Sequence, residues 1–155
     1  DFMNTQDFHL AQLNIAHTRF AVDDPGMTDF MAGLDRINAL ADATPGFVWR
    51  LQSASGNATD IQAYDDPRLL VNMSVWESVD SLRAYVYQSG HVDFLRRRKE
   101  WFETGETPFQ VLWWVAAGHL PTVGEAKARL EHLTTHGPTA YAFTFRMPFE
   151  PADHP

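Results

Sequence analysis

The chain has 155 residues, 45% hydrophobic and 21% charged, with a formal net charge of -8 at pH 7. That is one domain's length with enough apolar material for a core, and its acidity argues against a broad surface for nucleic acid or anionic membrane. It contains no cysteine, which excludes disulfides, thiolate nucleophiles and Cys-ligated zinc or iron–sulfur centres. No apolar run reaches membrane-spanning length and no signal-peptide pattern is visible, so the expectation is a soluble, cytoplasmic protein with no membrane partner.

In chain order, residues 1–8 read as a polar tail and 9–147 as a single domain. His9–Thr18 alternates, with Ala11, Leu13, Ile15 and His17 on one side and Gln12 and Asn14 on the other, the pattern of a strand with two unlike faces. Asp24-Pro25 offers an N-cap and a proline at the first helical position. Met27, Phe30, Met31, Leu34, Ile37 and Leu40 or Ala41 then form a helical stripe that Pro45-Gly46 ends. Phe47–Gln52 predicts a second strand and Asp65-Asp66-Pro67 a turn. Leu69–Trp76 predicts a third strand, with Val71, Met73 and Val75 on one side and Asn72, Ser74 and Trp76 on the other.

Ser78 is a suitable N-cap, with Asp80 in the first turn, where a negative charge suits the helix dipole. Leu82, Tyr85 and Val86 recur at helical spacing, Ser89-Gly90 interrupts the helix, and His91, Phe94, Leu95, Arg98 and Phe102 resume it as one stripe. The basic run 96–99 reads as a solvated helix face pairing with Glu100 and Glu103. Gly105–Pro108 predicts a loop. Gln110–Ala116 is continuously apolar, as a central strand would be. Thr122 and Glu125 have capping-box spacing ahead of the stripe Val123, Ala126, Leu130 and Leu133, and Gly137-Pro138 stops that helix. Ala140–Arg146 predicts a last strand with alternating aromatics, followed by a tail over 148–155. The order β-α-β-β-α-β, extended by a helix and a strand, predicts an α+β protein of ferredoxin-like split βαβ type with an antiparallel sheet and both long helices on one face.

His91 is the leading ionisable candidate, because imidazole is the side chain suited to move protons near neutral pH. Two readings stand: a catalytic base, or a ring that bonds a carbonyl and holds the helix break together. Gln12, Asn14, Asn72, Ser74 and Trp76 share a strand face. Its polar groups either bond one another or line a small-molecule pocket, walled further by whichever of Trp113 and Trp114 points inward. Tyr85 is either a hydrogen-bonding group for substrate or core. Arg98 binds a carboxylate or phenolate, or pairs with a buried acid. His132 and His136 have the i, i+4 spacing of metal ligands but no glutamate between them, and a histidine near a helix C-terminus is favoured by the dipole alone, so no metal is expected. No Gly-x-Gly-x-x-Gly, Walker or Gly-x-Ser-x-Gly pattern is present, so no cofactor is expected.

A strand ending in Trp-Glu-Ser, a helix, then Ser-Gly-His and a second helical piece resembles the dimeric α/β-barrel superfamily, and in particular its antibiotic-biosynthesis monooxygenase branch. The pieces His-Leu-Ala-Gln-Leu-Asn, Pro-Gly-Phe-Val-Trp-Arg-Leu, Asn-Met-Ser-Val-Trp-Glu-Ser, Ser-Gly-His with Arg-Arg-Arg, and Leu-Trp-Trp-Val resemble the DUF3291 family over roughly residues 9–146. The resemblance implies a homodimer closed into a barrel, here through the face carrying Asn72, Ser74 and Trp76. It also implies a cofactor-independent monooxygenase of secondary metabolism acting on a bulky aromatic or polyketide-like molecule. A cyclase or isomerase, a haem protein and a non-catalytic ligand-binding barrel are the alternatives. For haem, the ligand position of the related haem-degrading branch falls near Arg96 rather than on His91.

Overall fold

The computed structural model describes residues 7–53, 56, 58–59, 61–103 and 109–151; the first six residues of the expected N-terminal tail and the expected loop Gly105–Pro108 lie outside the described residues. The elements are β1 (Phe8–His17), α1 (Thr28–Asp42), β2 (Phe47–Arg50), β3 (Leu69–Trp76), α2 (Val79–Val86), α3 (Ser89–Arg96), α4 (Arg98–Trp101), β4 (Gln110–Ala116) and α5 (Val123–His136). The strands form one antiparallel sheet in the order β2-β3-β1-β4, the ferredoxin-like arrangement. Local chemistry explains the boundaries. The Asp24 carboxylate accepts from the Gly26 N–H, opening a short 3-10 turn with Pro25 ahead of α1. Ser78 and Thr122 cap α2 and α5 by accepting from the N–H of Ser81 and Glu125. Gly46 has φ +89°, and a Cβ there would lie 2.1 Å from the Ser81 hydroxyl, so only glycine fits this turn.

The two sheet faces are covered in the reverse of the expected way. Leu13, Val71, Met73 and Val75, with Val111, Trp113 and Val115, pack under Ala126, Leu130 and Leu133 of α5. Leu51, Ala63 and Tyr64, from the segment after β2, complete that cover. Lys127 holds the segment there, its ammonium donating to the Ala63 carbonyl at 2.8 Å and lying over the Tyr64 ring. The face carrying Gln12, Ser74 and Trp76 lies under α1, α2 and α3 instead: Leu10, Trp76, Leu112 and Trp114 pack with Ala41, Leu82 and Phe143. The physical reason is dryness. A purely aliphatic row needs a continuous apolar cover, and the unbroken α5 supplies one. The interrupted α2–α3 cannot, and it sits over the mixed polar row. The face proposed for a homodimer contact is thus occupied by the chain's own helices.

Other expectations change for local reasons. β4 is an edge strand, not a central one; it is apolar throughout because both of its faces are covered. Leu112 on its free edge exchanges two backbone hydrogen bonds with Phe143, of 2.9 and 2.8 Å. The expected strand Ala140–Arg146 shrinks to isolated bridges, Leu112 to Phe143 and Thr139 to Ala142. Thr139 accepts from the N–H groups of Tyr141 and Ala142, and such local side-chain bonds compete with a ladder. Within the expected tail 148–155, of which 152–155 lie outside the described residues, Phe149 and Pro151 are packed: the Trp114 indole donates to the Phe149 carbonyl at 2.7 Å, the Phe149 ring lies against Phe143, and Pro151 is buried. The break after α2 falls at Tyr87 and Gln88, and Ser89-Gly90 already belong to α3. Gln88 pins the break to the end of α1 by donating to the Thr44 hydroxyl at 2.8 Å.

Because α5 covers half the sheet, Leu130→Ala should cost about 2–5 kcal/mol, the usual range for a buried leucine. Leu95→Ala, at a side chain 38% exposed, should cost much less. Urea unfolding measures both, and an unchanged midpoint for Leu130→Ala would show α5 to be a detachable appendage.

Candidate functional site

The polar row of β1 and β3 forms the floor of a cavity of about 460 Å³ between the sheet and α1–α3. Antiparallel pairing sets Gln12 beside Ser74 and Asn14 beside Asn72, and Gln110 of β4 beside Asn14. Gln12 and Ser74 are buried, so their polar atoms need partners. The Gln12 amide donates to Asn72 Oδ1 at 2.7 Å and to Ser74 Oγ at 2.9 Å. Trp76 Nε1 donates to the same Ser74 Oγ at 2.8 Å. Gln110 reaches Gln12 Oε1 at 3.5 Å. The row both bonds to itself and lines the cavity.

The roof comes from the broken helix. The Tyr85 ring stacks on the Trp76 indole with centroids 5.2 Å apart, and its hydroxyl lies 3.4 Å from the Ile37 carbonyl of α1. Burial pushes the Tyr85 phenol far above its ordinary value, so it stays protonated. His91, in the first turn of α3, sets its ring edge-on to Tyr85 with centroids 4.6 Å apart. Its Nδ1 lies 3.1 Å from the Val86 carbonyl, an end-of-helix acceptor in α2. A carbonyl only accepts, so Nδ1 carries the hydrogen and Nε2 carries the lone pair. Burial lowers the His91 pKa, only partly opposed by the Val86 hydrogen bond, and so favours the neutral ring.

At the far end the stripe of α3 and α4 continues with Leu95, Arg98 and Phe102 along the cavity wall. The Arg98 guanidinium lies over the Phe109 ring, 5.3 Å from its centroid, and among the described residues it makes no ion pair. His17 and Glu103 close this end. His17 Nδ1 pairs with Glu103, and Nε2 lies 2.8 Å from Asp66. Asp66 is held below the usual carboxylate value by the Arg68 N–H first and then by His17.

All seven residues singled out from the sequence, His91, Asn14, Asn72, Ser74, Trp76, Tyr85 and Arg98, line this one cavity. Gln12, which the alternation put on the correct face, turns out to be the hub of the polar row. Gln110 could have been found by the same alternation in β4. The His17–Asp66–Glu103 cluster joins residues 49 and 86 positions apart, and no local pattern announces it. Trp114 shares the cavity face but packs on Phe143, while Trp113 faces α5 and donates to Glu125 at 3.0 Å; neither lines the cavity. The His132 and His136 rings lie 4.4 Å apart, and among the described residues no group of three or more potential metal ligands is formed. Among the described residues no helix is long and apolar enough to cross a membrane.

The lowered His91 pKa has a definite sign. As pH falls through about 6.5, the ordinary histidine value, the unfolded chain takes up the proton before the folded one, so stability is lost on acidification and regained above it. Wild-type protein should therefore lose more stability between pH 7.5 and 5.5 than His91→Gln does. Urea midpoints across that window check this, and parallel losses would contradict it.

A comparison with curated proteins finds no match. Among solved structures the chain is similar to SnoaB, a cofactor-independent oxygenase from Streptomyces nogalater, at 20% identity and a TM-score of 0.47 over 74% of this chain and 98% of that one. It is similar to Rv0793 from Mycobacterium tuberculosis at 14% identity and a TM-score of 0.47, over 74% of this chain and 99% of that one. For PA3566 from Pseudomonas aeruginosa the values are 11% and 0.48, over 75% and 98%. The model of the DUF3291 family, a domain of unknown function, matches residues 9–155, and the chain belongs to that family.

Proposed function

We propose that this protein is a small-molecule enzyme that deprotonates a bulky aromatic or polyketide-like substrate in the cavity and lets the resulting anion react with dioxygen. The observation that carries the reading is the His91 ring on the cavity wall, its Nδ1 3.1 Å from the Val86 carbonyl, which leaves its other nitrogen available as a base above a floor of amides. In this scheme a proton passes from an activated methylene or phenol of the substrate to Nε2. The electron pair moves onto the conjugated substrate oxygen, where Asn14 and Asn72 hydrogen-bond it. The methylene carbon is oxidised to a carbonyl and dioxygen is reduced, one oxygen atom entering the product and the other leaving as water. Tyr85 and Trp76 hold the ring system, and Arg98 favours the anion. A cyclase or isomerase would share the first step and consume no oxygen.

A second reading has its own support. The His91–Val86 bond closes the end of α2, and that alone explains a histidine here, leaving a non-catalytic binding barrel. Assembly as a homodimer belongs to the proposal through the family resemblance, with a contact that avoids both covered sheet faces. Sedimentation at micromolar concentration reads the oligomeric state directly.

The two readings separate on a panel of anthrones and hydroxynaphthalenes followed by oxygen uptake and product spectra. His91→Ala should fold and lose roughly 10²–10⁴-fold in rate, the usual worth of a general base. His91→Gln should keep more stability than Ala, because its amide can still donate to Val86. If the wild-type protein binds these compounds without turnover, or if His91→Ala loses stability while keeping its rate, the binding-barrel reading takes over.

A further inference from the structure

The Ser74 hydroxyl holds an unusual position in the polar row. Its oxygen accepts from Trp76 Nε1 at 2.8 Å and from Gln12 Nε2 at 2.9 Å. An indole N–H can only donate, so the direction of the first bond is fixed. The second follows from the amide's own contacts. Gln12 Oε1 faces the Gln110 amide, and Gln12 Nε2 gives its other hydrogen to Asn72 Oδ1. A hydroxyl has two lone pairs and one hydrogen. With both pairs filled, the Ser74 hydrogen must go to a third partner. Among the described residues it meets no acceptor, and Ser74 lines the cavity.

The same count holds for its neighbour. The Asn72 oxygen is taken by Gln12, which leaves its amide hydrogens. At Gln12, Asn72 and Ser74 the internal bonds thus consume acceptors and leave donors toward the cavity, while His91 lines the same cavity from α3.

We infer that Ser74, held by Trp76 and Gln12 as an obligate donor, joins the Asn72 amide in donating to an anionic or enolic oxygen of the ligand. The inference rests on the reading of the cavity as a small-molecule site and adds a ligand class to it: aromatic acids of the phenol or enol type, bound as oxyanions, in preference to their ethers. It also gives Trp76 a positioning role beyond that of an apolar wall, since its indole N–H occupies one Ser74 lone pair.

The test uses two chromophoric probes, 4-nitrophenol and its methyl ether 4-nitroanisole, titrated into the full chain across a pH series. In wild-type protein both should bind, and bound nitrophenol should ionise at a lower pH than free nitrophenol. Ser74→Ala should weaken nitrophenolate binding roughly tenfold or more, the usual cost of losing a hydrogen bond to a charged group, and leave nitroanisole affinity unchanged. Ser74→Thr, which keeps the hydroxyl, should restore the preference. Equal weakening of both probes in Ser74→Ala, or no weakening of either, would overturn the inference and leave the proposed function standing. Binding of neither probe to wild-type protein would remove the small-molecule reading, and this inference with it. If Ser74→Ala does not fold, Ser74→Cys, which keeps a polar atom for the two N–H groups but is a much weaker donor, is read in the same way. A wild-type complex in which nitrophenol ionises no more readily than in water overturns the inference without any variant.

Discussion

The Gln12 side chain, buried between β3 and β4, sets the constraint on which the rest of this molecule depends. An amide removed from water must find partners for its N–H groups and its oxygen, or cost a large share of a domain's net stability. Gln12 meets this by bonding across the sheet to Asn72 and Ser74, with Gln110 on its other side. Those bonds require β1 and β3 to stand in the register that places Gln12 opposite Ser74. A slip of one residue would turn the polar row toward α5 and the aliphatic row toward the cavity. The row therefore acts as a register lock as well as a site floor.

Above that floor the helix cannot be continuous. A single helix along α2 and α3 would press one apolar stripe onto the polar row. Instead the backbone turns at Tyr87 and Gln88, and α3 restarts with Phe94 packed on Gly33 of α1, where a Cβ would sit only 2.6 Å from the ring. The break exposes the Val86 carbonyl, and His91 satisfies it. The bond that ends α2 also fixes which ring nitrogen is free. A histidine whose tautomer is set by a backbone carbonyl loses no time in the wrong form, the purpose such second partners serve in proton-transfer sites.

Much of this was legible in the sequence because it is local. The bounds Leu69–Trp76 and Gln110–Ala116 and the caps at Ser78 and Thr122 follow from alternation and from short-range hydrogen bonding, and the structure has them at those residues. Alternation also sorted Gln12, Asn72, Ser74 and Trp76 onto one face. Which layer covers that face was not legible, because alternation tells the two faces apart without saying which helices lie over either. The aliphatic face looked like the natural seat of the long helices only while α5 was treated as an extension. The far end of the cavity was hidden for a different reason. His17, Asp66, Arg68 and Glu103 meet only after three elements have docked, and each looks like an ordinary surface charge in the chain.

The two faces of the sheet differ in how dry they are. The α5 face is dry: Leu13, Met73, Val75, Val111 and Trp113 are almost fully removed from water, and apolar area of that kind supplies most of a small domain's driving force. With that layer secured, the opposite face can carry hydrogen-bonded amides and an open cavity, which bury less apolar area than a packed layer would. The pattern accords with proteins that break packing rules at functional sites and compensate elsewhere. It also accounts for the position of the extension in the chain. α5 follows β4 directly and lies across β4 and β1, the two strands that α2 and α3 leave least supported. The dry layer under α5 and the polar row under α1–α3 thus lie on opposite faces of one sheet.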